Sequence, residues 1–333
     1  MRIKWVDYGK GVAILLVILG HVALGSLQSG NFHGSDVLIL HIILEMTYAI
    51  HIPVFFALSG YFFKPITKFN EIWPREFKRL VSLGIPYITF SLVMVIVKSI
   101  GGASVRNQNG ITGLINIYKT PIDYLWFLYA LFFVDVLVSI LSYFFRSKFQ
   151  LSIILLLGFL IQTIFPSSIE AISNALLWSP FFLLGYILRE VQISKRLALL
   201  SLIIYFIHIP VFCMLFPQEY YLSGYWRIIS VFCVFMMFYF FEHHRGFDYN
   251  FIEWCGLGSI VLYLVHAPVA SVVRIALFKL GINSLWLQIA GQLSISIAVS
   301  LLVLWLANQN KFINFFFRPT KYLLANKFGK KVS

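Results

Sequence analysis

The chain has 333 residues, of which 60% are hydrophobic and only 12% are charged, and its mean hydropathy is +0.85. In a soluble globular domain about a quarter of the residues are charged, so this composition excludes a soluble domain and indicates a membrane protein. The formal net charge of +13 would suggest nucleic acid as the partner of a soluble protein. In a membrane protein an excess of positive charge is explained by the Lys and Arg residues that set the orientation of the chain, so we expect no nucleic-acid partner.

Ten segments are long and apolar enough to be spanning helices, since a helix needs about 20 mostly apolar residues to cross about 30 Å of hydrocarbon. In chain order the segments are 10–29, 37–62, 80–100, 124–145, 149–165, 174–190, 197–216, 225–241, 254–276 and 285–307. The sequence therefore predicts an all-α, polytopic membrane bundle in which residues 1–310 form one integral-membrane domain. An even number of spans places both termini on one side.

Basic residues are distributed unequally between the two sides that this topology defines. Twenty of the 26 lysines and arginines fall on the side of the termini. The six on the other side are Lys98, Arg106, Lys119, Arg227, Arg274 and Lys279. Cytoplasmic loops carry such an excess, so we expect both termini in the cytoplasm and the chain in the inner (cytoplasmic) membrane. A signal peptide over residues 1–25 is the alternative, disfavoured because Gly20-His21 interrupts its apolar run.

The segments between the spans are too short to hold a soluble catalytic domain, so any chemistry must take place within the bundle. Residues 311–333 contain three consecutive phenylalanines and spaced lysines. This pattern predicts a basic interfacial tail on the cytoplasmic leaflet of the bilayer, and an unstructured tail is the alternative.

Several histidines are predicted at a common depth in the membrane. At a rise of about 1.5 Å per residue, His21 lies about 16 Å along the first span from Lys10, a little past the middle. His51 and His266 reach a similar depth by the same count, as does His208. Ionisable residues at such depth usually face the bundle interior and mark functional sites. The alternative is a hydrogen-bonded packing role, which is strongest for His208 and weakest for His21.

One face of the first span carries a polar stripe. Lys10 and His21 are eleven residues apart, close to three helical turns, and Asp7 precedes Lys10 by one turn. The face formed by Asp7, Lys10, Ile14, Val17 and His21 should therefore point inward. Three glycines around it remove side-chain bulk, which permits either close helix packing or close approach of a ligand.

The cytoplasmic end of the second span and the loop that follows it contain further candidate binding residues. Ser59 and Gly60 are predicted to break the helix there, which makes this end a candidate ligand-binding element. The next loop carries Arg75, Lys78 and Arg79. Such a set suits the phosphates of a nucleotide, because arginine offers paired donors and lysine a point charge. A charge cluster that only sets topology is the alternative.

No metal centre is expected. His243 and His244 are adjacent, which is wrong for two ligands on one helix face. The three cysteines, Cys213, Cys233 and Cys255, lie in or beside apolar runs without CxxC spacing. We interpret them as small buried hydrophobic residues.

Five stretches form a set of motifs in a fixed order: MRIKWVDYGKGVAILLVILGH, HIPVFFALSGYFF, PREFKRLVSLGIPYITF, YLWFLYALFFVD and EWCGLGSIVLYLVHAPV. Together they resemble the acyltransferase 3 family, in particular its branch similar to fucose 4-O-acetylases. The first stretch resembles the family's Asp-x-x-Lys-Gly motif and the apolar run that ends in Gly-His. Many members have Arg-Gly in place of Lys10-Gly11, which replaces a bidentate contact by a point contact. We expect a stand-alone form without the C-terminal esterase-like domain of some members.

The resemblance implies an integral-membrane enzyme that moves an acyl group, usually acetyl, from cytoplasmic acyl-CoA to a sugar hydroxyl of a glycolipid or surface polysaccharide. The family's essential histidine corresponds to His21. Acyl-CoA would be a co-substrate, and no permanently bound cofactor is expected. A transporter or flippase of a lipid-linked glycan is the alternative, since helices with polar groups near the midplane suit that function too. A non-catalytic partner of a polysaccharide synthase is a third reading.

Acyl transfer to a sugar needs a proton acceptor, because a hydroxyl is a weak nucleophile near neutral pH and imidazole is a suitable base. We assign this role to His21, by direct transfer or through an acyl-His intermediate. Glu45 and Asp135 are candidates to orient its ring.

The other candidate residues have supporting roles. The phosphates of acyl-CoA would be held by Arg75, Lys78 and Arg79, with Ser59 and Gly60 shaping the entry. Secondary catalytic or acceptor-binding roles fall to His266, Lys10, Asp7 and His51. Candidate substrate contacts are Tyr61, Trp126 and Tyr263. For the two candidates at the membrane interface, Tyr61 and Trp126, an anchoring role is the alternative.

Overall fold

The computed structural model describes residues 3–101, 110–216, 227–243 and 250–324, and within these ranges every regular element is helical. In chain order the helices are α1 (Lys4–Gln28), α2 (Ser35–Tyr61), α3 (Ile72–Gly101), α4 (Gly110–Ile115), α5 (Trp126–Phe144), α6 (Lys148–Ile164), α7 (Glu170–Leu188), α8 (Lys195–Leu215), α9 (Ile229–His243), α10 (Asn250–Leu257), α11 (Ser259–Lys279), α12 (Leu285–Gln309), α13 (Lys311–Phe317) and α14 (Thr320–Leu323).

An apolar helix occupies each of the ten predicted spans. In the described part of the chain, eight of these helices are long and apolar enough to cross a membrane. The other two, α6 and α9, have 17 and 15 residues. In lipid every backbone polar group must be satisfied within the protein, which is why an apolar chain of this length folds into helices. The predicted multi-pass helical membrane protein is confirmed.

Two predicted helix boundaries are wrong. Ser59 and Gly60 do not break α2, which continues to Tyr61. The Ser59 hydroxyl donates a hydrogen bond of 2.8 Å to the carbonyl of Phe55, so this side chain is satisfied inside the helix. The predicted span 254–276 is instead divided at Gly258, whose backbone is not helical (φ −92°, ψ 7°).

The chain divides into two compact units. The first unit comprises Met1–Phe62 and Leu184–Val303, and the second comprises Phe63–Leu183 and Leu304–Ser333. Helices α1, α2 and α8–α11 lie in the first unit, and α3–α6, α13 and α14 lie in the second. Asn310 separates α12 from α13 and caps the latter, since its side chain accepts hydrogen bonds from the backbone of Phe312 and Ile313. The interfacial role of the tail stays a prediction, and residues 325–333 lie outside the described ranges.

Within the first unit, α1 packs against α2, α9, α10 and α11. Two glycines allow backbones to meet: a Cβ at Gly11 would overlap the carbonyl of Ile252, and a Cβ at Gly256 would overlap the carbonyl of Asp7. The glycines at the start of α1 therefore serve close helix packing, which is one of the two roles that the sequence left open.

Candidate active site

Side chains from three helices of the first unit form a histidine cluster. The ring centroids of His21 on α1 and His266 on α11 are 5.1 Å apart. On α2, the ring of Tyr48 lies 6.2 Å from His21 and 4.7 Å from His51. The common depth predicted for these three imidazoles thus corresponds to a real cluster. Tyr263 lies beside it, with its ring 6.1 Å from that of His266.

Backbone hydrogen bonds fix the tautomers of two of these rings. The Nδ1 atom of His51 lies 2.6 Å from the carbonyl oxygen of Thr47, and that of His266 lies 3.0 Å from the carbonyl oxygen of Leu262. A carbonyl oxygen can only accept, so both Nδ1 atoms carry the proton. In the neutral ring the basic nitrogen is then Nε2.

Accessibility distinguishes His21 from the other members of the cluster. His266 is 0% exposed and His51 is 3% exposed, whereas His21 and Tyr48 are partly accessible. A group that meets a substrate needs accessible surface. Burial therefore favours His21 as the ring that reacts and favours His51 and His266 as its supports.

Gly20, next to His21, explains how closely α1 approaches the α2 side of the cluster. A Cβ at this position would lie 2.9 Å from Thr47 Oγ1, 3.1 Å from Tyr48 Cε2 and 3.3 Å from His51 Cε1. Contacts this short force the neighbours to move, so only glycine allows the present spacing between the helices.

The predicted inward face of α1 is confirmed in its middle, where Ile14 and Val17 are buried. Asp7 and Lys10 are partly accessible. The Lys10 ammonium lies 5.2 Å from the centroid of the Phe62 ring, a cation–π distance. These two residues begin the stripe, but Lys10 lies about 16 Å along the helix axis from His21. They are therefore not members of the histidine cluster.

The end of α2 is an aromatic cluster. The ring of Tyr61 lies edge-on to Trp5 at 5.0 Å and is 6.3 Å from Phe238. Gly60 is buried, and the Ser59 hydroxyl already donates to its own helix. This packing is typical of an anchored helix end, and it weakens the case for Ser59 and Gly60 as an open entry.

The predicted phosphate-binding residues lie in the second unit and are partly neutralised there. Arg75 Nη2 and Arg79 Nε approach the two carboxylate oxygens of Asp135 at 3.6 and 3.7 Å. The Arg75 guanidinium also lies 4.5 Å from the centroid of the Phe63 ring, whereas Lys78 is exposed. Asp135 is thus the counter-ion of two arginines.

The other predicted carboxylate, Glu45, does meet an imidazole, but that of His208. Glu45 Oε1 on α2 lies 3.3 Å from His208 Nε2 on α8, and both side chains are almost completely buried. The hydroxyl of the neighbouring Tyr205 donates to the carbonyl of Met46 at 3.0 Å. The sequence predicts both residues at a similar depth in the membrane, and this shared depth is the signal that could have paired them.

Trp126 begins α5 in the second unit and packs against Trp178, with ring centroids 5.9 Å apart. Cys233 and Cys255 are buried as predicted, and Cys213 is partly accessible. Among the described residues, no group of three or more His, Cys, Asp or Glu side chains could hold a metal ion.

Two curated relatives match part of the chain. Nodulation protein NolL of Mesorhizobium japonicum is 27% identical over 186 residues, which is 55% of this chain and 47% of the relative. Nodulation protein NolL of Sinorhizobium fredii is 26% identical over 186 residues, which is 55% of this chain and 48% of the relative. The matched region thus spans about half the length of each relative. No solved structure matches the chain.

A family model covers far more of the chain than these relatives do. The acyltransferase domain model of the acyltransferase 3 type matches residues 3–306, a range that includes the whole histidine cluster. The branch similar to fucose 4-O-acetylases stays a prediction. The protein belongs to the acyltransferase 3 family.

Proposed function

We propose that the protein is a membrane O-acyltransferase that moves an acyl group, in the simplest case acetyl, from a cytoplasmic acyl-CoA to a sugar hydroxyl of a surface polysaccharide or lipid-linked glycan. The observation that carries this proposal is the cluster of His21, His266, His51 and Tyr48 inside the acyltransferase domain. His21 is the reactive group, because it alone among the three histidines is partly accessible.

In the proposed reaction, His21 takes the proton of the acceptor hydroxyl while the hydroxyl oxygen attacks the carbonyl carbon of the thioester. A new C–O bond forms, the C–S bond breaks, and the proton passes from the imidazolium to the leaving thiolate. His266 and Tyr48 keep the His21 ring in place through ring contacts. Because the proton is returned, the step needs no external acid or base.

For the donor, we propose that Arg75, Lys78 and Arg79 of the second unit bind phosphate groups of acyl-CoA. Asp135 neutralises part of the charge of the two arginines and holds them side by side. Phosphate contacts to paired guanidinium groups are strong and directional. We further propose that both termini are cytoplasmic and that the chain resides in the inner membrane, in keeping with the distribution of its lysines and arginines.

The proposal is tested with purified protein in lipid nanodiscs. We expect slow release of free CoA from acetyl-CoA, and faster release with transfer of a 42-Da acetyl mass when a glycan acceptor is added. His21→Ala should lower transfer by a factor of about 100 or more, the usual contribution of a general base. His33→Ala, an exposed histidine outside the cluster, is the matched control and should behave as the wild type.

Two results would contradict the proposal. Wild-type activity in His21→Ala would remove this ring from the mechanism. Movement of a lipid-linked glycan across the nanodisc or vesicle membrane without consumption of acyl-CoA would instead favour a transporter.

A further inference from the structure

An arginine of α11 packs against α1 one turn beyond His21, within the first unit. Arg274 belongs to α11, eight residues beyond His266. Its guanidinium rests on α1 at Gly25: a Cβ added there would lie 3.2 Å from Arg274 Cζ and would overlap Nη1. Gly25 follows His21 by one turn and lies on the same face of α1, about 6 Å along the axis.

The lean of helical side chains explains where the Arg274 guanidinium lies. Side chains of a helix lean toward its N-terminus, so Arg274 reaches back along α11 in the direction of His266. This accounts for a guanidinium at the level of Gly25 although the Arg274 Cα lies about 12 Å beyond that of His266. The absence of a side chain at Gly25 is what gives the guanidinium its place.

Ser26, the residue after Gly25, lies among polar groups of the protein. Ser26 is buried, and its hydroxyl accepts a hydrogen bond of 3.3 Å from the amide of Gln292 on α12. The same amide donates to Gln288 at 3.1 Å, and Gln288 donates to the carbonyl of Ile282 at 2.7 Å. These links fix the polar side chains beside Gly25. Arg274 itself is partly accessible.

In the predicted topology Arg274 lies toward the non-cytoplasmic end of α11, and its guanidinium rests on α1 one turn beyond His21. We propose that Arg274 is a specificity-determining residue that binds a carboxylate or phosphate group of the acyl acceptor, one turn along α1 from His21. This inference rests on the proposed function. Guanidinium groups recognise both anions through paired hydrogen bonds, so the shared chemistry is a planar or tetrahedral oxyanion. The acceptor class is thus an acidic glycan or a phosphate-linked glycan.

The first test measures whether acylation in cells requires the charge of Arg274, with a second basic residue of α11 as the control. Cells that lack the chain are complemented with the wild type, His21→Ala, Arg274→Gln, Arg274→Lys or Lys279→Gln, and mass spectrometry reads the acyl masses on their glycans. We expect Arg274→Gln to lose acylation of glycans that carry a carboxylate or phosphate, by about tenfold or more. Arg274→Lys should retain part of it. Lys279→Gln removes an equal charge from the exposed end of α11 and should match the wild type.

Gly25→Ala provides a second variant that keeps the charge but displaces it. The added methyl group should reproduce the loss seen in Arg274→Gln. In the Arg274→Gln background it should add little, because the displaced group is already gone. Full additivity of the two changes would show that Gly25 acts independently of Arg274.

The charge of the acceptor is tested with three probes in nanodiscs: octyl glucoside, octyl glucuronide and the 6-phosphate of octyl glucoside. We expect the wild type to favour one or both anionic probes about tenfold or more in kcat/KM, and Arg274→Gln to lose this preference through a higher KM. The favoured probe shows whether the anionic group that Arg274 binds on the acceptor is a carboxylate or a phosphate.

The outcomes separate the two proposals. If wild-type cells show no acyl mass beyond those of cells with His21→Ala, the proposed function fails. If they show one but Arg274→Gln is equally active, or loses acylation of neutral glycans only, this inference is wrong. Equal use of all three probes by the wild type would also overturn the inference about Arg274. If no probe is acylated, the inference is decided by the acyl masses on the glycans of the cells.

Discussion

The rings of His21 and His266 meet edge to face, with an interplanar angle of 61° and centroids 5.1 Å apart. His266 is fully buried and its Nδ1 donates to its own helix, so its position is set by α11. His21 comes from a different helix and is partly accessible. The pair thus combines a fixed ring with a ring that can meet substrate.

His266→Ala should lower kcat by a factor of about 100 and change KM little, because it removes the support of the reacting ring and not a substrate contact. His266→Asn retains a donor near the carbonyl of Leu262 but lacks the ring that contacts His21, so it should restore stability without restoring kcat. The measurement is steady-state acyl transfer together with the melting temperature of each variant. Recovery of kcat in His266→Asn would show that packing alone is required.

Gly20→Ala should impair transfer, because the new Cβ would meet Thr47, Tyr48 and His51 at 2.9 to 3.3 Å and push α2 away from His21. Overpacking of this kind costs about 1–3 kcal/mol of stability. Gly84→Ala is the control, since its Cβ would make an ordinary 3.4 Å contact with Leu80 on the same helix. Activity assays and thermal unfolding of both variants check the prediction, which fails if Gly20→Ala is as active as Gly84→Ala.

Removal of either member of the Glu45–His208 pair should destabilise the protein by about 1–3 kcal/mol, because the remaining polar group would be buried without its partner. A double replacement by leucine should recover much of this loss. The comparison pair is Arg189–Glu190, which is half-exposed at the surface and whose removal should cost no more than about 1 kcal/mol. Unfolding of all variants in detergent gives the coupling energy, and additive losses for Glu45 and His208 would contradict a direct interaction.

Arg75→Gln and Arg79→Gln should each raise the KM for acetyl-CoA about tenfold and leave kcat nearly unchanged, if these groups bind phosphate and take no part in the chemistry. Lys78→Gln should have a smaller effect, since Lys78 is an exposed point charge. Arg146→Gln, another basic residue of the second unit, is the control for loss of charge alone. The same KM in all four variants would exclude the arginines from donor binding.

The architecture could be predicted because the bilayer imposes it. Hydropathy located ten apolar helices, and the constant rise per residue placed His21, His51 and His266 at one depth before any contact was known. Hydropathy and depth do not determine which helices are neighbours. The pairing of Glu45 with His208 and of Asp135 with Arg75 depends on helix packing, so the sequence supplied the polar residues but not their partners.

The helix boundaries that were wrong share a physical reason. Ser59-Gly60 resembles a helix break, yet the serine hydroxyl donates a hydrogen bond to the carbonyl of Phe55 and the helix continues. At Gly258 the chain does leave the helix, directly after Gly256 has met the backbone of α1. The local sequence offers a possible helix break at both sites. Packing against another helix, which the local sequence does not reveal, distinguishes the break at Gly258 from the continuous helix at Ser59-Gly60.

The hydrogen bonds from Nδ1 of His51 and His266 to Thr47 and Leu262 have a consequence for how such a catalyst can diversify. The anchors are main-chain carbonyls, which no point substitution can delete. The lining around the cluster can therefore be rebuilt for new sugars over evolutionary time, while the orientation of these two basic nitrogens is inherited with the helices themselves.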